Sequence, residues 1–205
     1  MIVVIDYSVG NVRSVCKALN HIGCETKLSR KREDIESADG IILPGVAAYG
    51  FAVKELSDTA DIIKDVAKQG KPLLGICVGY QLLFDKSYEK GEHAGLGLIS
   101  GEVVPLPPGL TVPHMGWNSV KSSKDMDLFK YMRDEEHFYF AHSYHAKVTD
   151  PEAKIANTDY GSDIVASVQK QSIYGVQFHP EKSGPVGLKF LETFNEICLA
   201  KKNNS

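Results

Sequence analysis

The chain reads as an α/β protein, with a central, mostly parallel sheet flanked by helices and an antiparallel extension. Three observations predict this class. Short β-branched runs alternate with amphipathic helical stretches through the first half, strands become closely spaced after Gly97, and the C-terminal segment returns to a helical period. Ile2 to Asp6 is a buried strand by composition, and Val12, Val15, Cys16, Leu19 and Ile22 follow it at helical spacing until Gly23 ends the helix. Glu25 to Leu28, Gly40 to Leu43 and Pro72 to Ile76 read as further strands, with helical segments over Glu33 to Ser37 and Asp58 to Gln69 between them. Strands alternating with helices imply a sheet covered on both faces.

The extension is expected from strands at Glu102 to Leu106, Asn118 to Lys121, Phe138 to Ala141, Ala153 to Asn157, Asp163 to Gln169 and Ile173 to Phe178. Phe190, Leu191, Phe194, Ile197 and Cys198 then share one face of a last helix. With no Pro/Gly/Ser-rich linker to divide it, the sequence predicts one domain over residues 1–200 and a frayed polar tail over 201–205.

Composition excludes several classes. With 43% hydrophobic and 24% charged residues this is an ordinary globular chain, neither disordered nor membrane-embedded. The 23 basic and 26 acidic residues nearly balance, so there is no electrostatic footprint for nucleic acid. No apolar run is long enough to span a bilayer, and the opening Ile2-Val3-Val4-Ile5 lacks the basic flank of a signal peptide, which predicts a cytoplasmic location. Cys16, Cys24, Cys77 and Cys198 show neither CxxC nor metal-ligand spacing; a reduced compartment with one reactive and three packing cysteines accounts for them, and neither metal nor cofactor is expected.

The reactive one is predicted to be Cys77. In Leu73-Leu74-Gly75-Ile76-Cys77-Val78-Gly79-Tyr80-Gln81 an apolar run stops at a cysteine flanked by glycines at i−2 and i+2, and an amphipathic stretch begins at once. A nucleophile on a sharp strand-to-helix turn needs a strained backbone and neighbours without side chains. A helix starting there aims free N–H groups at the sulfur and favours the thiolate. A buried structural cysteine would explain Gly-x-Cys-x-Gly alone about as well. The balance tips at Gly175-Val176-Gln177-Phe178-His179-Pro180-Glu181, where a strand delivers a histidine and a glutamate two residues apart. In extended chain, i and i+2 lie on one side roughly 6.5 to 7 Å apart, close enough for a carboxylate to orient the imidazole.

At Leu43-Pro44-Gly45-Val46-Ala47-Ala48 a strand ends in a glycine-containing loop at the sheet edge where α/β proteins bind ligands. A backbone N–H from this loop, at Val46, and that of Val78 are candidates for an oxyanion hole. These segments resemble the class I glutamine amidotransferases over nearly the whole chain. They look most like the branch of glutaminase subunits carrying Asp6-Tyr7-Ser8-Val9-Gly10-Asn11, Pro113-His114-Met115-Gly116-Trp117-Asn118, Phe138-Tyr139-Phe140-Ala141-His142-Ser143-Tyr144 and His179-Pro180-Glu181-Lys182-Ser183.

The resemblance implies a catalytic triad of Cys77, His179 and Glu181. It also implies substrate contacts at Gly45, Gln81, Ser143 and Tyr144, and a partner face with ammonia passage at Asn11, Trp117, Tyr139 and Lys182. The implied partner is a (β/α)8-barrel synthase (cyclase) subunit in a heterodimer, which uses the ammonia to form imidazole glycerol phosphate and an aminoimidazole carboxamide ribotide in histidine biosynthesis. For Trp117 a place in the core is an equal expectation. Three positions depart from the pattern, with Ala47 and Ser8 where glycine is usual and Tyr80 where methionine is. They leave open a paralogue feeding another synthase, such as one amidating a surface sugar, and more distantly a thiol hydrolase or a non-catalytic redox sensor.

Overall fold

The structure, a computed structural model, describes residues 1–203. Its elements are β1 (Ile2–Ile5), α1 (Val12–His21), β2 (Thr26–Ser29), α2 (Arg32–Ser37), β3 (Gly40–Leu43), α3 (Tyr49–Lys68), β4 (Leu73–Ile76), α4 (Val78–Gln81), β5 (Lys86–Ser87), β6 (His93–Ala94), β7 (Gly101–Pro105), β8 (His114–Lys121), β9 (Glu135–His142), β10 (Tyr144–Val148), β11 (Lys154–Asp159), β12 (Asp163–Lys170), β13 (Ile173–Val176) and α5 (Gly184–Asn203). Single 3-10 turns lie at Asp127–Phe129 and Pro180–Lys182.

The large sheet runs in the order β2-β1-β3-β4-β13-β12-β11-β8-β9. From β2 to β13 every pairing is parallel, and from β13 to β9 every pairing is antiparallel. β1, β3, β4 and β13 are buried at all four positions, the continuous apolar type that a doubly covered parallel sheet requires. The chain moves outward from β1 to β2, then crosses back to β3 and on to β4. Right-handed crossovers therefore put α1 on one face and α2 and α3 on the other. The direction reverses between β1 and β3, and the carboxyl ends of β1, β3, β4 and β13 open there together.

A second, smaller sheet, β10-β7-β5-β6, is absent from the sequence-based expectation, and β7, expected at Glu102 to Leu106 in the extension of the large sheet, belongs to it instead. β5 and β6 are only two residues long, and the pairing is long-range: β7 joins β10 antiparallel and β5 parallel. α3 starts at Tyr49, nine residues before the expected Asp58, with the Glu89 carboxylate accepting the Tyr49 N–H at 2.9 Å. α5 continues through Lys201–Asn203, past the point where the tail is expected to begin; residues 204–205 lie outside the described residues.

Aromatic packing joins the antiparallel half to α5. Phe138 stacks on Phe178 with centroids 4.0 Å apart, and Phe190 meets Phe178 edge-on at 5.4 Å. All three are fully buried. Phe178 immediately precedes His179, so the packing also fixes where that histidine emerges. Phe178→Ala is expected to lower unfolding stability by about 3–5 kcal/mol in urea denaturation, whereas Phe178→Leu should cost less than half of that.

Candidate active site

β4 delivers Cys77 in a conformation that ordinary residues avoid, with φ 55° and ψ −106°. Its N–H is held by the Val176 carbonyl at 2.8 Å, a bond that extends the β4–β13 ladder by one residue. The flanking glycines are required by close approach. A Cβ on Gly79 would sit 1.7 Å from the Leu43 carbonyl oxygen, and one on Gly75 would sit 2.5 Å from that of Gly79. The helix after Cys77 is a single turn, Val78–Gln81, so the expected dipole at the sulfur has little to draw on. The charge facing Cys77 comes from elsewhere.

β13 supplies it. His179 is buried, and its Nδ1 donates to Glu181 Oε1 at 2.8 Å within a side-chain pair wholly shielded from solvent. Its backbone N–H donates to the Tyr139 carbonyl at 2.8 Å, and Ser183 Oγ donates to the His179 carbonyl at 2.7 Å. Nε2 is buried without a regular hydrogen bond, with the Cys77 sulfur close enough to act on it. Burial alone would push the imidazole pKa down; interaction with Cys77, then with Glu181, outweighs it and lifts His179 to about 9. Such a histidine is a ready proton donor at neutral pH.

Val46 and Val78 lie together as expected, yet no oxyanion hole is formed. The Val78 N–H donates to the Gly45 carbonyl at 3.3 Å. The Tyr7 hydroxyl donates to the neighbouring Pro44 carbonyl, and a Cβ on Gly45 would lie 2.9 Å from that hydroxyl. Ser8 holds φ 62°, in the left-handed region that explains why glycine is usual at this position. Tyr80, the third departure, is fully buried and donates to the Val165 carbonyl at 3.2 Å.

A cavity of about 360 Å³ opens beside Cys77, lined among others by Val46, Val78, Gln81, Glu89, Ser143 and Tyr144. Gly45 borders it through its contact with Val78. Gln81 Nε2 donates to the Tyr144 carbonyl at 3.1 Å and to Gln177 Oε1 at 3.0 Å, and Gln177 Nε2 points at Cys77 Sγ from 3.8 Å. Glu89 and His142 also line the cavity; sequence reading gives neither a role, although His142 lies in a segment that carries the resemblance. Glu89 sits in the polar run Lys86 to Glu92, indistinguishable there from a solvated turn; its carboxylate suits an ammonium group.

Trp117, Tyr139 and Lys182 form one cluster next to the triad. Trp117 is 58% exposed, which removes it from the core, and meets Tyr139 edge-on at 6.2 Å; Lys182 Nζ lies 5.9 Å from the Tyr139 ring centre. Asn11, at φ 74°, donates its amide N–H to Oε1 of Glu181, the residue before Lys182, and so supports the triad. Among the described residues no group of three or more His, Cys, Asp or Glu side chains can hold a metal ion, and no helix is long and apolar enough to cross a membrane.

The raised pKa of His179 makes its protonated form favour the folded state. That contribution is complete below the ordinary histidine value of 6.5 and is lost as pH rises through about 9. In nuclear magnetic resonance titration the His179 ring should have a midpoint near 9, and Cys77→Ala should lower it by about one unit or more, since it removes one of two raising partners. An unaltered midpoint in that variant would mean that sulfur and imidazole are uncoupled.

The Glutamine amidotransferase class-I family model matches residues 3–197. The HisH subunit of imidazole glycerol phosphate synthase from Lacticaseibacillus casei is 49% identical over 96% of each chain, and that of Caldanaerobacter subterraneus is 44% identical over 97% of this chain and 100% of its own. Among solved structures, a glutamine amidotransferase superposes with TM-score 0.76 at 19% identity, over 97% of this chain and 99% of its own. Another, from Thermotoga maritima, gives 0.66 at 16% identity over 98% and 84%; both speak for the fold alone. The chain belongs to the class I glutamine amidotransferases.

Proposed function

We propose that this chain is the glutaminase subunit of imidazole glycerol phosphate synthase. It would hydrolyse glutamine to glutamate and ammonia and pass the ammonia to a (β/α)8-barrel partner that forms imidazole glycerol phosphate and an aminoimidazole carboxamide ribotide. The observation that carries the reaction is the buried Cys77–His179–Glu181 constellation at adjoining strand ends, beside a cavity with a carboxylate at Glu89. The assignment to this synthase is supported by full-length relatives of that name at 44% and 49% identity.

In this reading glutamine enters the cavity with its α-ammonium towards Glu89 and its side-chain amide towards Cys77. Sγ attacks the amide carbon, and a C–S bond forms as the carbonyl π pair moves to oxygen. His179, held in its tautomer by Glu181, protonates the amide nitrogen; the C–N bond breaks and ammonia leaves, with a γ-glutamyl thioester remaining on Cys77. Water then gives a proton to His179 and attacks the thioester, and the C–S bond breaks to release glutamate. Both tetrahedral intermediates need donors at the oxyanion. One candidate, the Val78 N–H, is engaged by Gly45, so turnover requires the Gly45–Val46 peptide to rotate, which withdraws the carbonyl and presents the Val46 N–H. Partner binding on the face that carries Trp117, Tyr139 and Lys182 is the proposed trigger.

Turnover assays and partner identification test this. Cys77→Ala should abolish glutamate release and glutamine-dependent product formation in the complex, while ammonium-dependent synthesis by the partner persists; co-purification identifies that partner and separates this synthase from one acting on a surface sugar. The free wild-type chain should hydrolyse glutamine about 100- to 1000-fold more slowly than the partnered chain, the usual cost of a missing oxyanion donor. Ala47→Gly should raise the free rate and narrow that gap by easing the rotation. A free chain already at the partnered rate would contradict the gating.

A further inference from the structure

His114 on β8 and His142 on β9 face each other directly across the antiparallel ladder, and both are buried. Their protons can be assigned from geometry. His142 Nδ1 lies 2.8 Å from the Tyr144 carbonyl, which can only accept, so Nδ1 carries a proton. Burial pushes His142 down to about 3 and His114 down to about 4, so both rings are neutral with one N–H each. His142 Nε2 is then an acceptor, and its 2.9 Å contact fixes the other proton on His114 Nδ1. His114 Nε2, the last acceptor, meets Asn118 Nδ2 at 3.4 Å, and that amide is anchored on the Asp159 carbonyl at 2.8 Å. Phe140 and Tyr160 stack on the two sides of His114, at 4.7 and 3.9 Å, and hold the ring in this orientation.

The directed chain ends at the cavity wall. The Tyr144 carbonyl accepts from His142 and also from Gln81, whose amide reaches Gln177 and so the Cys77 sulfur. Nothing in hydrolysis as derived above uses the two histidines, yet a buried imidazole pair is costly unless every polar atom is satisfied, and here each is. We infer that His114 and His142 are positioning residues for glutamine, a pair of Nδ1-protonated imidazoles that hold the Tyr144–His145 peptide by its Tyr144 carbonyl, and with it Gln81, at the substrate cavity. The inference rests on the reading of that cavity as the glutamine site. The same pair ties the cavity to β8, whose Met115 and Trp117 are 64% and 58% exposed on the surface assigned to the partner.

The test is glutamate release by the complex with its synthase partner, read as separate KM and kcat values. His142→Leu, which loses the donor to Tyr144, should raise KM for glutamine about tenfold with kcat changed less than about threefold. His142→Asn, whose amide N–H falls near the position of Nδ1, should keep KM within about threefold of wild type. His114→Phe keeps the aromatic stack and removes the donor to His142 together with the acceptor for Asn118, whose amide keeps its bond to the Asp159 carbonyl; it should also raise KM, and it serves should His142→Leu fail to fold. Independently of activity, nitrogen-15 spectra of the free chain should show both rings protonated at Nδ1. An unchanged KM in His142→Leu and His114→Phe, equal KM in His142→Leu and His142→Asn, or an Nε2-protonated ring would overturn the inference alone. A wild-type complex that releases no glutamate would overturn the functional reading and this inference with it.

Discussion

The parallel pairing of β4 with β13 is the interaction on which the site depends. Its register sets Ile76 beside Val176, and the Cys77 N–H then takes the Val176 carbonyl at 2.8 Å. Cys77 is thus forced into its strained turn on one strand while the neighbouring strand runs on through Gln177 and Phe178 to His179. A slip of one residue would turn every β13 side chain to the opposite face and carry the histidine away from the sulfur. Both strands are buried throughout, which is what makes the register unambiguous. Gly75 and Gly79 let β3 and the elbow approach closely enough to complete the arrangement, and the Phe138–Phe178 stack pins the far side.

Around this fixed pair the part proposed to move is the loop after β3. The Gly45 carbonyl occupies the Val78 N–H, so the electrostatic half of the proposed catalytic machinery is absent from an otherwise assembled site. Nucleophile and acid can remain poised, with His179 held protonated, because the missing donor keeps them from productive attack. For an enzyme that makes ammonia for another subunit, this separates readiness from turnover. The loop is tethered at both ends, by Tyr7 on Pro44 and by Glu89 at the first turn of α3, which confines the motion to a few peptides.

Much of this was legible in the sequence, for reasons that are local. The glycines two residues either side of Cys77 report a steric need, and the closeness of His179 and Glu181 in the chain signals their pairing. A 3-10 turn over Pro180–Lys182, and not the expected extended segment, brings the carboxylate to the imidazole. The apolar runs of β1, β3 and β4 could be read directly because a doubly covered strand is hydrophobic at every position. What was not legible depends on distant pairing. β10 and the two-residue strands β5 and β6 have no composition of their own and exist through long-range partners. α3 begins early because Glu89, forty positions on, satisfies its first turn. Glu89 looked like an ordinary polar residue, and His114 and His142, though within segments that carry the resemblance, were given no role, because their meaning lies in what faces them across the fold; the bond from Asn11 to Glu181 is likewise visible only in the structure.

The central claim is that Cys77, set by the β4–β13 register and paired with His179, forms the covalent bond to glutamine. The most direct measurement is acid-quenched mass spectrometry of the complex during turnover, with the adduct mapped to a peptide. The account predicts a γ-glutamyl thioester on the peptide that contains Cys77 in the wild-type complex, and its loss in Cys77→Ala. An adduct on Cys16, Cys24 or Cys198, or glutamate release at full rate after Cys77→Ala, would contradict it.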